Sequence, residues 1–265
     1  MKPVFLAIWL SCITAFCSQA GDFVFINEYR NISDFAGVDK LGNIFSIENG
    51  ILTRFSPDGS QLTFGKRAFG PVTFADVSDP LNILVFFGNF GHVVMLDKNL
   101  AEKRSFSATD LMSTDIADVI CHSSENGFWA YFPGVFQLVR FNDRGQPEIT
   151  STDLSFDHPQ MGRVKYLQES DGKLFVAADH IMIFDRHTNF LFKIPDTNVS
   201  VVQVIDQNIL YLQDSHLVVY DFFLQTENVF LLPENGVKNF FVKDDKLFLQ
   251  TEVSLKKFRF TGNFH

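Results

Sequence analysis

The chain has 265 residues with a formal net charge of −9, and 46% of its residues are hydrophobic. That composition excludes a disordered chain, and the acidic balance excludes a phosphate-binding partner such as nucleic acid, because no basic stripe offsets it. Phenylalanine occurs 32 times, which tilts the expectation toward strands, where aromatic side chains fit a pleated half-buried surface.

Residues 1–20 read as a removable secretory signal. Lys2 supplies the positive start, Val4 to Phe16 is an apolar run broken only by Ser11 and Thr14, and Ser18-Gln19-Ala20 places small residues at −3 and −1 of a cleavage site. The run is too short to span a bilayer, and no later segment approaches the roughly 18 apolar residues a spanning helix needs. The expected mature chain is one soluble domain, 21–265, in the periplasm or outside the cell. It keeps a single cysteine, Cys121, and so forms no internal disulfide. Cys121 lies in a strand-like run and reads as a small half-buried hydrophobe. Asn31-Ile32-Ser33 and Asn198-Val199-Ser200 fit glycosylation sequons.

From residue 39 onward a repeat of about 40 residues is visible. Apolar anchors follow a turn at Ile44, Ile83, Phe128, Leu174, Ile209 and Leu247, separated by 39, 45, 46, 35 and 38 residues. A second anchor follows each: Phe55, Leu96, Phe141, Phe184, Tyr220 and Phe258, at offsets of 11, 13, 13, 10, 11 and 11. A polar, turn-prone residue usually comes next, as at Asp97, Asn142, Asp185 and Asp221. Earlier strands (Phe74–Val77, Val164–Leu167, Val201–Ile205, Val237–Val242) and later ones (Leu62–Phe64, Phe190–Ile194, Val229–Leu232) complete four short strands per unit. That is the signature of a propeller blade. The only helix-like stretch is Ala108 to Met112. Too few residues follow Phe258 for a fourth strand, whereas Phe23-Val24-Phe25-Ile26 forms one before the first unit. The expected fold is therefore an all-β, six-bladed β-propeller, its ring closed by an N-terminal strand that joins the last blade and removes an exposed edge.

Two units carry a recognisable motif. One reads Asp39-Lys40-Leu41-Gly42-Asn43-Ile44-Phe45, then Leu52-Thr53-Arg54-Phe55-Ser56-Pro57-Asp58-Gly59. The other runs Asp171-Gly172-Lys173-Leu174-Phe175-Val176-Ala177-Ala178-Asp179-His180-Ile181-Met182-Ile183-Phe184-Asp185. Both resemble the NHL family of six-bladed propeller repeats. The resemblance implies a fold whose members serve protein binding, sensing and lactone or ester hydrolysis, and does not choose among them.

Site chemistry is sparse. No Gly-x-Ser-x-Gly elbow, His-Glu-x-x-His or phosphate-cradling loop occurs. His92, His180 and His216 each lie four residues before a second anchor, in loops between second and third strands. They read as a strand-entry position that accepts a flat polar side chain and as partner-binding candidates; the sharper alternative is a ring of imidazoles around a metal or an acidic ligand. Metal-dependent lactonases of this architecture use carboxylates around the channel, which makes Asp76 and Asp118, in matching Ala-Asp-Val segments, the candidate ligands of a divalent ion, with Glu169 nearby. His122 and His158 read as solvent-facing. Among the aromatic loops, Phe90 and Phe136 are the tips expected to be exposed and to anchor a partner. The function these features point to is a non-enzymatic binding or scaffold propeller of the cell envelope or extracellular space, which engages another protein and needs no cofactor. A metal-dependent lactonase or esterase-like hydrolase and a small-ligand sensor are the alternatives.

Overall fold

The computed structural model describes residues 22–261 apart from 31, 33, 113, 160, 195–198 and 200. The signal segment 1–20, Gly21 and residues of both sequons lie outside that set. Among the described residues twenty-four strands form six four-stranded antiparallel sheets. Blade 1 holds β2 (Phe35–Val38), β3 (Ile44–Glu48), β4 (Ile51–Phe55) and β5 (Gln61–Phe64). Blade 2 holds β6 (Phe74–Asp76), β7 (Ile83–Phe87), β8 (His92–Leu96) and β9 (Glu102–Phe106). Blade 3 is β10 (Val119–Ser123), β11 (Gly127–Phe132), β12 (Gln137–Asn142) and β13 (Pro147–Thr150). Blade 4 is β14 (Tyr166–Ser170), β15 (Lys173–Ala177), β16 (Ile181–Asp185) and β17 (Phe190–Ile194). Blade 5 is β18 (Val202–Ile205), β19 (Asn208–Gln213), β20 (His216–Asp221) and β21 (Thr226–Leu231). Blade 6 takes β22 (Asn239–Lys243), β23 (Lys246–Gln250) and β24 (Leu255–Phe260), and its outer strand is β1 (Phe23–Tyr29), paired antiparallel with β24. The molecule is a six-bladed propeller, closed as the sequence predicts.

The two anchors of each repeat unit are direct cross-strand partners. Ile44 faces Phe55, Ile83 faces Leu96, and Phe128 faces Phe141. Leu174 faces Phe184, Ile209 faces Tyr220, and Leu247 faces Phe258. All six first anchors are buried. The internal offset of the repeat is thus the length of one hairpin, and cross-strand apolar pairs are the unit of sheet stability. The polar residue after the second anchor has an equally local reason. Asp97, Asn142, Asp185 and Asp221 each accept two backbone N–H bonds from the next turn through one side-chain oxygen, at 2.8–3.0 Å. Each closes the hairpin between third and fourth strands. Phenylalanines fill the layers between blades, as where Phe128 stacks on Phe141 at 5.1 Å and meets Phe106 of blade 2 at 5.9 Å. Gly127 is required here, since a Cβ would lie 1.9 Å from the Phe141 carbonyl oxygen.

The first strand of every blade faces a central channel and has no strand partner on that side. Side chains of the preceding blade take over. Gln168 donates to the Val204 carbonyl and accepts from its N–H, both at 2.8 Å. Gln203 does the same for Val242 at 2.7 Å. Asn239 donates to the Phe35 carbonyl at 3.0 Å while Gln250 accepts the Phe35 N–H at 3.2 Å, which joins blade 6 to blade 1. Asp76 accepts the His122 N–H at 2.9 Å.

Among the described residues two short α-helices sit in blade-to-blade connections, α1 (Ala108–Leu111), where the sequence predicts one, and α2 (Leu154–Asp157), which the strand-dominated pattern conceals; a 3-10 turn, Arg67–Phe69, lies between blades 1 and 2. Replacing Gln203 by leucine strips both backbone groups of Val242 of their partners. The expected loss is about 2 kcal/mol of stability, read as a lower denaturation midpoint with an unchanged slope.

Candidate functional site

Turns between second and third strands share one face of the ring with the connections from blade to blade. On blades 2 to 4 these segments touch in series. Gly91 has φ of +65°, and a Cβ there would meet Ala108 at 2.8 Å and Ile116 at 2.9 Å, so this turn seats directly on the following connection. The next turn is tied to the same connection where the Gly134 N–H donates to Asp115 Oδ2 at 2.5 Å. It is tied to the one after where the Leu154 N–H donates to the Phe136 carbonyl at 2.9 Å. Asp153 caps α2, accepting from the Ser155 N–H at 2.8 Å.

This chain of contacts carries four large apolar side chains outward. Phe90 is 58% exposed, Ile116 43%, Phe136 43% and Phe156 83%. Phe90 leans over Gly70, where a Cβ would lie 2.9 Å from its ring. Phe136 has φ of +53°, a left-handed conformation unusual for a bulky residue and one that thrusts the side chain off the blade. Asp110, Asp115, Asp153 and Asp157 lie on the same segments. The nearby cations Arg163 and Lys165 are engaged by Asp118 at 3.2 Å and Asp179 at 3.9 Å. The result is an apolar belt with an acidic margin.

Phe90 and Phe136 are exposed as their loop positions imply, while Phe86, Phe87, Trp129, Tyr131 and Phe132 beside them are buried. Ile116 and Phe156 were not legible, because they lie in connections outside the repeat.

The three histidines enter third strands of blades 2, 4 and 5. His92 opens β8 and stacks on Phe69 at 4.0 Å between ring centres. His180 precedes β16, its Nδ1 buried without a partner. His216 opens β20 opposite Gln213. Among the described residues no three His, Cys, Asp or Glu side chains converge as metal ligands.

The channel is a cavity of about 910 Å³ lined by residues from all six blades. Asp76 lines it, but both its oxygens accept backbone N–H bonds, from Ser78 at 3.0 Å and His122 at 2.9 Å. Asp118 is not its counterpart. Asp76 pairs with Leu84, one residue past that blade's anchor, whereas Asp118 precedes Val119, whose partner Tyr131 lies three past the next anchor. The two aspartates therefore sit three residues apart along their strands, about 10 Å in height. Glu169 accepts from Trp129 Nε1 at 2.6 Å and from the Ser124 hydroxyl.

His122 corrects the expectation of a solvent-facing ring. Its side chain is 15% exposed, 3.8 Å from Asp79, between the channel and a cavity of about 480 Å³ on the opposite face. His158 likewise packs on Phe190 at 4.6 Å, and burial holds its imidazole below the ordinary value. Cys121 is fully buried rather than half-buried; burial pushes its thiol well above the ordinary value, and the carboxylates of Asp76 and Glu169 add to the effect.

No protein-family model matches the chain, and no curated protein does. Solved structures do. The WD40 domain of Pan2 from Neurospora crassa aligns over 88% of this chain and 76% of its own, with a TM-score of 0.61 at 11% identity. Virginiamycin B lyase from Staphylococcus aureus aligns over 89% and 98%, with a TM-score of 0.59 at 10% identity. The extracellular domain of the putative one component system BT4673 from B. thetaiotaomicron aligns over 85% and 33%, with a TM-score of 0.59 at 12% identity. The likeness is one of fold. It agrees with the NHL-like resemblance in the repeat units and assigns no chemistry. No helix among the described residues is long and apolar enough to cross a membrane.

Asp76 offers a decisive substitution. Asp76→Asn keeps one acceptor oxygen and turns an amide NH2 toward the other N–H, and Asp76→Ala keeps neither acceptor, so both variants should lose about 1–3 kcal/mol of stability if Asp76 serves as a backbone clasp. Thermal denaturation of both variants, with elemental analysis of the wild type for a divalent ion, separates a backbone clasp from a metal ligand.

Proposed function

We propose that this chain is an exported binding or scaffold propeller of the cell envelope or extracellular space, which docks another protein through the belt on its upper face and performs no catalysis of its own. The contiguous exposure of Phe90, Ile116, Phe136 and Phe156 across blades 2 to 4 carries this reading. Aromatic anchors projecting from loops on a rigid scaffold are a common form of protein-binding hot spot. The carboxylates around them favour a partner that brings lysine or arginine to the margin of an apolar patch, with association that weakens as salt screens the rim. The signal-like segment 1–20 and the fold likeness to an extracellular domain support the exported setting.

Affinity capture of the tagged protein from the envelope and external fractions tests the docking reading. A near-stoichiometric partner is expected. Phe90→Asp with Phe136→Asp should reduce its recovery by about 30-fold or more, since two buried anchors are worth at least about 2 kcal/mol. Retention of the partner by that folded double variant would place binding elsewhere. N-terminal sequencing of the exported protein is expected to begin at Gly21; a chain retaining Met1 would remove the export reading.

A further inference from the structure

The fourth strands form the rim of the ring, and each leaves one edge of backbone N–H and C=O groups open. Five of the six carry a device that discourages another strand from pairing there. β5 has only four residues. β9 carries Glu102, Lys103 and Arg104 and is bulged at Lys103. β13 begins at Pro147 and is bulged. β17 is bulged and carries Lys193. β1 is bulged between Phe25 and Asn27.

β21 has none of these. It runs six residues, Thr226-Glu227-Asn228-Val229-Phe230-Leu231, in unbroken register with β20, without proline, lysine or arginine. Phe230 turns toward blade 6, where it meets Phe260 at 5.0 Å and Phe23 at 6.4 Å. By strand alternation Glu227, Val229 and Leu231 point to the other side. Val229 is 54% and Leu231 66% exposed, and the hairpin tip adds Phe223 at 64% and Leu224 at 71%.

We infer that β21 is a self-association edge, on which a second copy of this chain adds its own β21 antiparallel and joins two blades into one eight-stranded sheet. The strand is self-complementary about a two-fold axis through Val229. In that register Val229 meets Val229 of the second copy and Glu227 meets Leu231. Residues that face one another across an antiparallel pair share a face, so both valines and both leucines line one face, with a Glu227 opposite each leucine at its ends. This is an isologous contact that closes on itself. The two-fold symmetry of this register points to a second copy as the occupant, and local charge does not oppose it. The chain carries −9 overall, yet this edge holds one carboxylate per copy, and in the paired register the two Glu227 lie about 13 Å apart, beyond a Debye length at physiological salt. The contact is small and apolar, so the dimer is of the reversible class.

The test uses the full chain with Cys12→Ser and Cys17→Ser, which leaves buried Cys121 as the sole thiol. Sedimentation velocity from about 1 to about 200 μM should show a concentration-dependent monomer–dimer equilibrium, as a small reversible interface implies, and one that high salt does not dissolve. Val229→Lys places two ammonium groups at the axis and should be monomeric throughout, with its melting curve confirming the fold. Val229→Cys brings two thiols together at the axis, where facing Cβ atoms lie about 5 Å apart, and mild oxidation should give a covalent dimer; Leu231→Cys should not. A wild type that stays monomeric over the whole range, a dimer that survives Val229→Lys, or equal cross-linking from residues 229 and 231 would each overturn the assignment. A dimer unchanged by Phe90→Asp and Phe136→Asp keeps this edge separate from the belt.

Discussion

The ring depends on what happens at its inner edge. Each blade's first strand has a hydrogen-bonded partner on one side only, and on the other its backbone faces a channel. Groups left unpaired in so enclosed a place destabilise the fold. Here first-strand side chains opposite the residue after the anchor supply the missing partners: Gln168 clasps Val204, Gln203 clasps Val242, and Asp76 takes the His122 N–H. Each clasp points from one blade to the next. Local hairpins are thereby converted into a single cooperative ring, and the inner strands gain the register that bare van der Waals contact would leave loose.

Closure at the seam of blades 6 and 1 uses different parts. Blade 6 draws its outer strand from the N-terminus, so β1 and β24 pair across the whole length of the domain. Inside, Asn239 and Gln250 hold Phe35 in place of a single glutamine. At the junction of blades 1 and 2, Gly37 occupies the clasp position, and the Val77 side chain lies 3.0 Å from where a Cβ would be. There the two strands approach too closely for an amide. At the junction of blades 3 and 4 the position is Cys121, and the polar contact passes to Trp129 and Glu169.

That variety explains what was legible. The anchors repeat because every hairpin needs an apolar cross-strand pair, so spacing alone located the six blades and the closing strand. The clasp position holds Gly37, Asp76, Cys121, Gln168, Gln203 and Phe241 in the six blades, which no pattern search would group. Asp76 and Asp118 looked alike because both stand in Ala-Asp-Val, but that motif closes β6 and leads into β10, which puts the two aspartates three residues apart in register, and register along an inner strand leaves no mark in a short motif. The histidines were legible as a repeated position; their surroundings, a Phe69 stack at one and a buried unpaired nitrogen at another, were not. Phe90 and Phe136 stood out because they interrupt alternation at glycine-containing turns. Phe156 belongs to a four-residue helix inside a connection, where no period exists to betray it.

The same logic divides the outer surface into two kinds of exposed apolar patch. On the upper face the apolar side chains come from loops, are separated by carboxylates and rest on turns pinned to the next connection, so their shape is fixed and their reach selective. On the rim the exposed groups of β21 are backbone as well as side chain, and the strand is longer than β5 and lacks the bulge, proline or cation that its other four counterparts carry. A patch built on loops recognises a surface; an open strand edge recognises another strand. Because the two lie on perpendicular aspects of the ring, occupation of one leaves the other free, and pairing at the rim would present two belts on a single particle. A partner with two binding epitopes then gains from effective concentration rather than from any new contact, provided its epitopes span the distance between the two upper faces.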